Sequence, residues 1–241
     1  MEFKKTIYDH YISSHTGVLY GKESLSRIQK QFPVWRYYYG KLLPENKAAS
    51  ILDIGCGSGG FVWFLMQTGY KSVEGIDISA EQIAEGKAMG IESIQCADLR
   101  TFLANKPGQY DCIIARDVME HFTKQEVFDI LQLVHTSLKP GGCFIIQSPN
   151  GEGLFHTSIF YGDFTHEIAF TRSSLNQICR SIGFNNVRCQ PTGPVPKGIK
   201  SGMRWALWQL VVLNIRLLKT IETGSGSGIF TQNLIAVAIK S

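Results

Sequence analysis

The sequence predicts an α/β fold built on a doubly wound, largely parallel sheet. Two observations carry this expectation. Short apolar runs alternate with helix-like stretches through most of the chain, the pattern of parallel strands buried on both faces and joined by helices. Gly69, Gly90 and Gly141 fall where helices or connections should end, in keeping with glycine's preference just past a helix C-terminus.

The elements follow in order. ILDIG is the first strand and FVWFLMQTG its helix. SVEGIDI is the second strand, followed by the helix AEQIAEGKAMG, and SIQC is the third. DCIIARD is the fourth, KQEVFDILQLVHTSLKPG the long helix and turn after it, and CFIIQS the fifth. The last two strands are expected at Asn185 to Gln190 and Ile229 to Ile239. Ahead of the first strand, Phe32, Trp35, Tyr37, Tyr38 and Tyr39 form an aromatic cluster. There are no internal repeats.

ILDIGCGSGG, Ile51 to Gly60, carries the chemistry. Its glycines let a strand turn sharply into a helix with no Cβ in the way, so that backbone N–H groups can approach a nucleotide. Gly55, Gly57 and Gly60 also satisfy the G-x-G-x-x-G spacing of NAD-binding folds. Asp53 separates the two readings. A fixed negative charge beside the loop opposes a pyrophosphate but suits a cofactor that carries an ammonium and a sulfonium and no phosphate.

From this loop onward the chain resembles the class I S-adenosylmethionine-dependent methyltransferases. Further landmarks come in the family's order: SVEGIDIS, CADL, YDCIIARDVMEHF and LKPGGCFIIQSPN. The resemblance covers roughly residues 50 to 190. It implies a Rossmann-like, seven-stranded sheet with an antiparallel last strand. It divides the single domain 1–241 into an N-terminal helical cap (1–48), a cofactor-binding core (49–190), a helical insertion (191–228) and the final strand (229–241). The implied cofactor is S-adenosyl-L-methionine, held by Asp53, Gly55, Cys56, Gly57 and Gly59 of the loop. Asp77 with Ile78 would hold the ribose, Asp98 with Leu99 the adenine, and Arg116 would lie at the methionine end with its side chain toward the substrate. No metal ligand is assigned, with a two-carboxylate, one-histidine cluster of Asp163, His166 and Glu167 as the alternative.

For the acceptor the informative stretches are ARDVMEHF and YGDFTHEIAFT. The Glu120–His121 pair resembles one in ubiquinone-biosynthesis methyltransferases. The second stretch resembles an aspartate-x-threonine-histidine element of methyltransferases in surface-polysaccharide and other glycan pathways, with Phe164 in place of the element's usual proline. Asp163, His166 and Glu167 put two carboxylates and an imidazole within a few residues, enough for a base and its orienting acid. The expected base is His166, oriented by Asp163 or Glu167, with His121 as second choice. Lys124, Gln125 and Glu126 read as a solvated helix face. The expected activity is O-methylation of a sugar or glycan-linked intermediate. Small-molecule methylation in quinone or secondary metabolism, NAD-dependent oxidoreduction and cofactor binding without turnover are the alternatives.

A net charge of +4 with scattered basic residues offers little to nucleic acid, and none is expected as a partner. Six cysteines without a CxxC pair read as reduced thiols of a cytoplasmic protein. No stretch has the ~20 uninterrupted apolar residues that span a bilayer. The insertion holds Met203 to Ile221, whose helical projection has a broad apolar face with Arg204, Gln209, Arg216 and Lys219 along an edge. That face is expected to cover the body or a second subunit, to lie peripherally at the inner face of the membrane, or to form a lid over a substrate channel.

Overall fold

The computed structural model describes Lys4, Thr6, Ile7 and residues 23–241. Seven strands form one sheet in the order β3-β2-β1-β4-β5-β7-β6: β1 Ser50–Ile54, β2 Ser72–Asp77, β3 Ile94–Cys96, β4 Tyr110–Arg116, β5 Leu138–Pro149, β6 Phe184–Pro191 and β7 Asn233–Lys240. The pairs through β5 are parallel, and β7 runs antiparallel to both β5 and β6. This is the expected Rossmann-like architecture, and the chain reverses its direction of winding between β1 and β4.

Strand residues alternate between two apolar layers. Leu52, Ile54, Ile113 and Ala115 face one layer, with α5 Leu99–Ala104, α6 Lys124–Ser137 and α8 Arg172–Ile182. Ile51, Cys112 and Ile114 face the other, with α1 Leu25–Gln29, α2 Phe32–Tyr39, α3 Gly60–Gln67 and α4 Ala80–Ala88. The aromatic cluster ahead of the first strand is split by helical spacing. Trp35 and Tyr39 are buried against Phe61, with ring centroids 5.3 and 4.9 Å away, while Tyr37 is exposed. Thus the described part of the N-terminal cap is a layer of the core. Most of its first 22 residues lie outside the described residues.

Three boundaries differ from expectation. β5 begins at Leu138, so the LKPGG turn is absorbed into the strand, with Gly141 at φ +75° where its register with β4 shifts. β7 begins only at Asn233, because the Asn150 amide donates to the carbonyls of Ile229 (2.6 Å) and Thr231 (2.8 Å) and holds that stretch out of the ladder. The insertion forms α9, Ile199–Thr223, longer than the apolar segment 203–221 and without a buried residue. The short α7, His156–Phe160, lies on the β5 side of the site.

Candidate active site

The carboxyl ends of β1, β2, β3 and β4 converge at the switch of winding, where open α/β sheets place ligands. A cavity of about 510 Å³ opens there. Gly55, Gly57, Asp77, Ile78, Asp98 and Leu99 line it as the sequence predicts, together with His121.

The β1–α3 loop closes tightly. Gly55 and Gly57 sit at φ +68° and +58°, and a Cβ at Gly55 would come within 2.3 Å of Val118 Cγ2. The N–H groups of Gly55 and Cys56 donate to the Ile76 carbonyl, and that of Gly57 donates to Asp77 Oδ2 at 2.8 Å. Asp77 Oδ1 accepts from the Ser79 N–H at 2.8 Å. Each carboxylate oxygen has a second lone pair for a hydroxyl such as those of a ribose. Burial pushes the Asp77 carboxyl above its ordinary pKa, against the pull of these backbone donors. Asp98 also caps α5, accepting from the N–H groups of Arg100 and Thr101, while remaining on the cavity wall.

Four expected cofactor residues stand behind the wall. Gly59 is the left-handed N-cap of α3, at φ +81°. The buried Cys56 side chain packs under the loop against Gly75, and burial raises its thiol pKa. Asp53 pairs with Ile114 across β1 and β4 and shares the sheet face of Ile51. It is buried beneath the loop, its Oδ1 has no hydrogen-bond partner, and burial raises its pKa to about 7.

Arg116 needs correction. Period-two alternation sends it with Cys112 and Ile114 into the α2–α3 layer rather than toward substrate. Its guanidinium lies 4.4, 4.9 and 5.6 Å from the ring centroids of Phe61, Trp35 and Tyr39. The positive charge held there partly offsets the burial of Asp53.

Asp117, which the sequence reading did not assign to the site, lines the cavity with φ +56°, a left-handed conformation uncommon for a residue with a side chain. Gln147 Nε2 donates to its Oδ2 (2.6 Å), and the Tyr39 hydroxyl donates to Gln147 Oε1 (2.5 Å). Val118, Ser79, Gln82 and Lys4 are further wall residues that were missed. The available signal was position, since each except Lys4 follows a strand's carboxyl end by a few residues. Glu126 is also on the wall and closes a capping box with Thr123, so it is not the solvated side chain expected, whereas Lys124 and Gln125 are exposed.

The acceptor-side stretch is fastened to the β4 end. The N–H groups of Glu167 and Ile168 both donate to the Glu120 carbonyl, at 2.8 and 3.2 Å, which sets the rings of His121 and His166 4.7 Å apart. The Asp163 carbonyl accepts from the His166 N–H at 3.3 Å, and the Asp163 carboxylate reaches toward His121. Its Oδ1 accepts from the Thr165 hydroxyl (2.6 Å), which in turn accepts from His121 Nδ1 (2.7 Å). His166 Nδ1 donates to the Phe160 carbonyl at 3.1 Å, which leaves the lone pair on Nε2. Glu167 is engaged by Lys4 at 2.9 Å. Burial lowers the His121 pKa to about 4, so its ring is neutral near pH 7. Glu120 is buried with Oε2 unpartnered, and burial holds its carboxyl well above the carboxylate range.

Around the glycine loop, Asp77, Asp98 and Asp117 stand on the wall and Asp53 below it. That charge distribution opposes a diphosphate and fits a cationic adenosyl group. The family model of the methyltransferase domain matches residues 29–188. An uncharacterized methyltransferase of Synechocystis sp. is 29% identical over 154 residues, which is 60% of this chain and 72% of that protein. Other curated relatives match over parts of themselves, the chain spanning 25%, 42% and 54% of three of them. Among solved structures, a SAM-dependent methyltransferase from Archaeoglobus fulgidus superposes with a TM-score of 0.62 at 20% identity, covering 98% of this chain and 99% of that one. A phosphoethanolamine N-methyltransferase of Haemonchus contortus in complex with S-adenosyl-L-methionine gives 0.65 at 16% identity, covering 97% of this chain and 60% of that one. The chain belongs to the methyltransferase domain family, and S-adenosylmethionine is the cofactor of its site.

Proposed function

We propose that this enzyme methylates a hydroxyl oxygen of a sugar or glycan-linked acceptor, with His166 as the general base. The observation that carries the reading is the His121–His166 pair, 4.7 Å apart, with His121 on the wall of the cofactor cavity and the lone pair of His166 on Nε2. Bound S-adenosylmethionine supplies an electrophilic methyl on a sulfonium. The chain's own task is to hold the acceptor oxygen in line, roughly 3 to 3.5 Å from that carbon, and to take its proton.

Asp77 is suited to the ribose hydroxyls, and Asp53 beneath the loop, whose Oδ1 has no hydrogen-bond partner, to the methionine ammonium. His166 accepts the hydroxyl proton at Nε2 while Phe160 fixes its ring. The carboxyl of Asp117 is close enough to feel the charge of His166. Burial keeps His121 neutral, and the Thr165 hydroxyl, itself donating to Asp163, holds it in one tautomer beside His166. The aspartate-x-threonine-histidine resemblance supports the glycan class of acceptor.

The test is a methyl-transfer assay over a panel of hydroxyl-bearing sugars. His166→Ala should lower turnover by about 10² to 10⁴-fold, with affinity for S-adenosylhomocysteine changed by less than about twofold, since His166 lies off the cofactor wall. Turnover unaffected by His166→Ala would remove this base. Transfer to nitrogen acceptors alone would remove the oxygen reading.

A further inference from the structure

The apolar face of α9 faces solvent. Four residues at spacings of four, three and four, Trp208, Val212, Ile215 and Lys219, form a half-buried stripe toward the body. This contact is narrow, and a groove of about 290 Å³ separates Tyr37 and Tyr38 from Trp205, Trp208 and Arg216 of the helix. Lys219 anchors the C-terminal end, donating to Glu152 (3.2 Å) and to the Ser227 carbonyl (2.8 Å).

On the opposite side, Ile199, Met203, Leu207, Leu210, Leu217 and Ile221 recur at helical spacing and are 58–86% exposed. At 100° per residue they fall within a sector of about 80°. Asn214, the polar residue in that sector, turns its amide back onto the Leu210 carbonyl at 2.8 Å. With 25 residues the helix is about 37 Å long. This is a large apolar area for an unpartnered surface.

Charge identifies the occupant. Residues 197–222 hold five basic side chains, Lys197, Lys200, Arg204, Arg216 and Lys219, against one acid, Glu222, and this net +4 equals the net charge of the whole chain. In helical projection Lys200 lies about 20° and Arg204 about 60° beyond one edge of the apolar sector, while Arg216 lies about 100° beyond the other edge, at the groove. All three are exposed. Apolar side chains flanked by long basic ones suit an interfacial helix, whose ammonium and guanidinium groups reach up to headgroups. A second copy packed on the same face would set like charge against like charge. No helix among the described residues is long and apolar enough to cross a membrane.

We propose that α9 docks this enzyme, lying flat, on an anionic lipid surface. The proposal does not depend on which acceptor is methylated. The test is flotation of the full chain with phosphatidylcholine vesicles, alone or with about 30 mol% phosphatidylglycerol, near 0.1 M salt. Wild type should float with the anionic vesicles and lose most of that binding in pure phosphatidylcholine. The double variant Leu210→Glu, Leu217→Glu should reduce the floating fraction by about tenfold or more, with melting temperature and S-adenosylhomocysteine affinity unchanged because both positions are exposed. Arg204→Glu with Arg216→Glu should weaken binding and reduce its dependence on salt. Wild type left at the bottom with anionic vesicles overturns the proposal. So does sedimentation showing a wild-type dimer that the leucine variant dissolves while flotation is unchanged, which assigns the face to a second copy.

Discussion

Asp53 and His121 are buried ionisable groups whose shifts act in opposite directions on stability. The raised pKa of Asp53, about 7 against an ordinary 3.8, means that the folded state keeps a proton the unfolded chain releases. Its contribution is full below about pH 4 and is lost as pH rises through 7. His121, lowered from 6.5 to about 4, behaves in reverse, with its contribution full above pH 6.5 and lost as pH falls toward 4. Asp53→Asn removes the first dependence alone. The variant should therefore gain melting temperature relative to wild type as pH is raised from 5 to 8, while binding S-adenosylhomocysteine more weakly. Parallel melting curves for the two proteins across that range would contradict the assignment of Asp53 as a buried carboxyl that Arg116 compensates only in part.

Among elements, the β1–α3 loop tolerates little change. Gly55→Ala places a methyl 2.3 Å from Val118 Cγ2 at a backbone φ of +68°. It should cost about 1 to 3 kcal/mol by denaturant melts and weaken cofactor affinity, because Val118 is itself on the cavity wall. Stability and affinity equal to wild type would show that the loop is looser than this packing implies.

This loop and the buried strands were legible in sequence because parallel strands read as unbroken apolar runs and their ends carry glycine or an acid. Other features were hidden for physical reasons. β5 was foreshortened since Lys139, Pro140 and Gly141 read as a turn, although the chain stays in the ladder around them. β7 was extended too far because Ile229 and Phe230 are apolar and buried yet are held by Asn150 outside the sheet. Arg116 was misdirected by its motif, whereas the alternation of β4 already pointed its side chain at the aromatic layer. The orientation of His121 by Asp163 through Thr165 depends on a tertiary crossing that local spacing does not reveal.

At the scale of the molecule, the sheet order brings together four strand ends that lie far apart in sequence, and a common purpose for Gly57, Asp77, Asp98 and Asp117 exists only at the reversal between β1 and β4. Assigning that crevice to an adenosyl cofactor is the claim on which the roles of Asp53, His166 and the acceptor stretch rest. It is tested most directly by calorimetric titration of the folded wild type and Asp77→Ala with S-adenosylhomocysteine and, separately, with NAD. The account predicts saturable binding of S-adenosylhomocysteine, a loss of about 100-fold or more in Asp77→Ala as two hydrogen bonds to a charged acceptor disappear, and no binding of NAD. Absence of binding to the wild type, or equal affinity in Asp77→Ala, would contradict it.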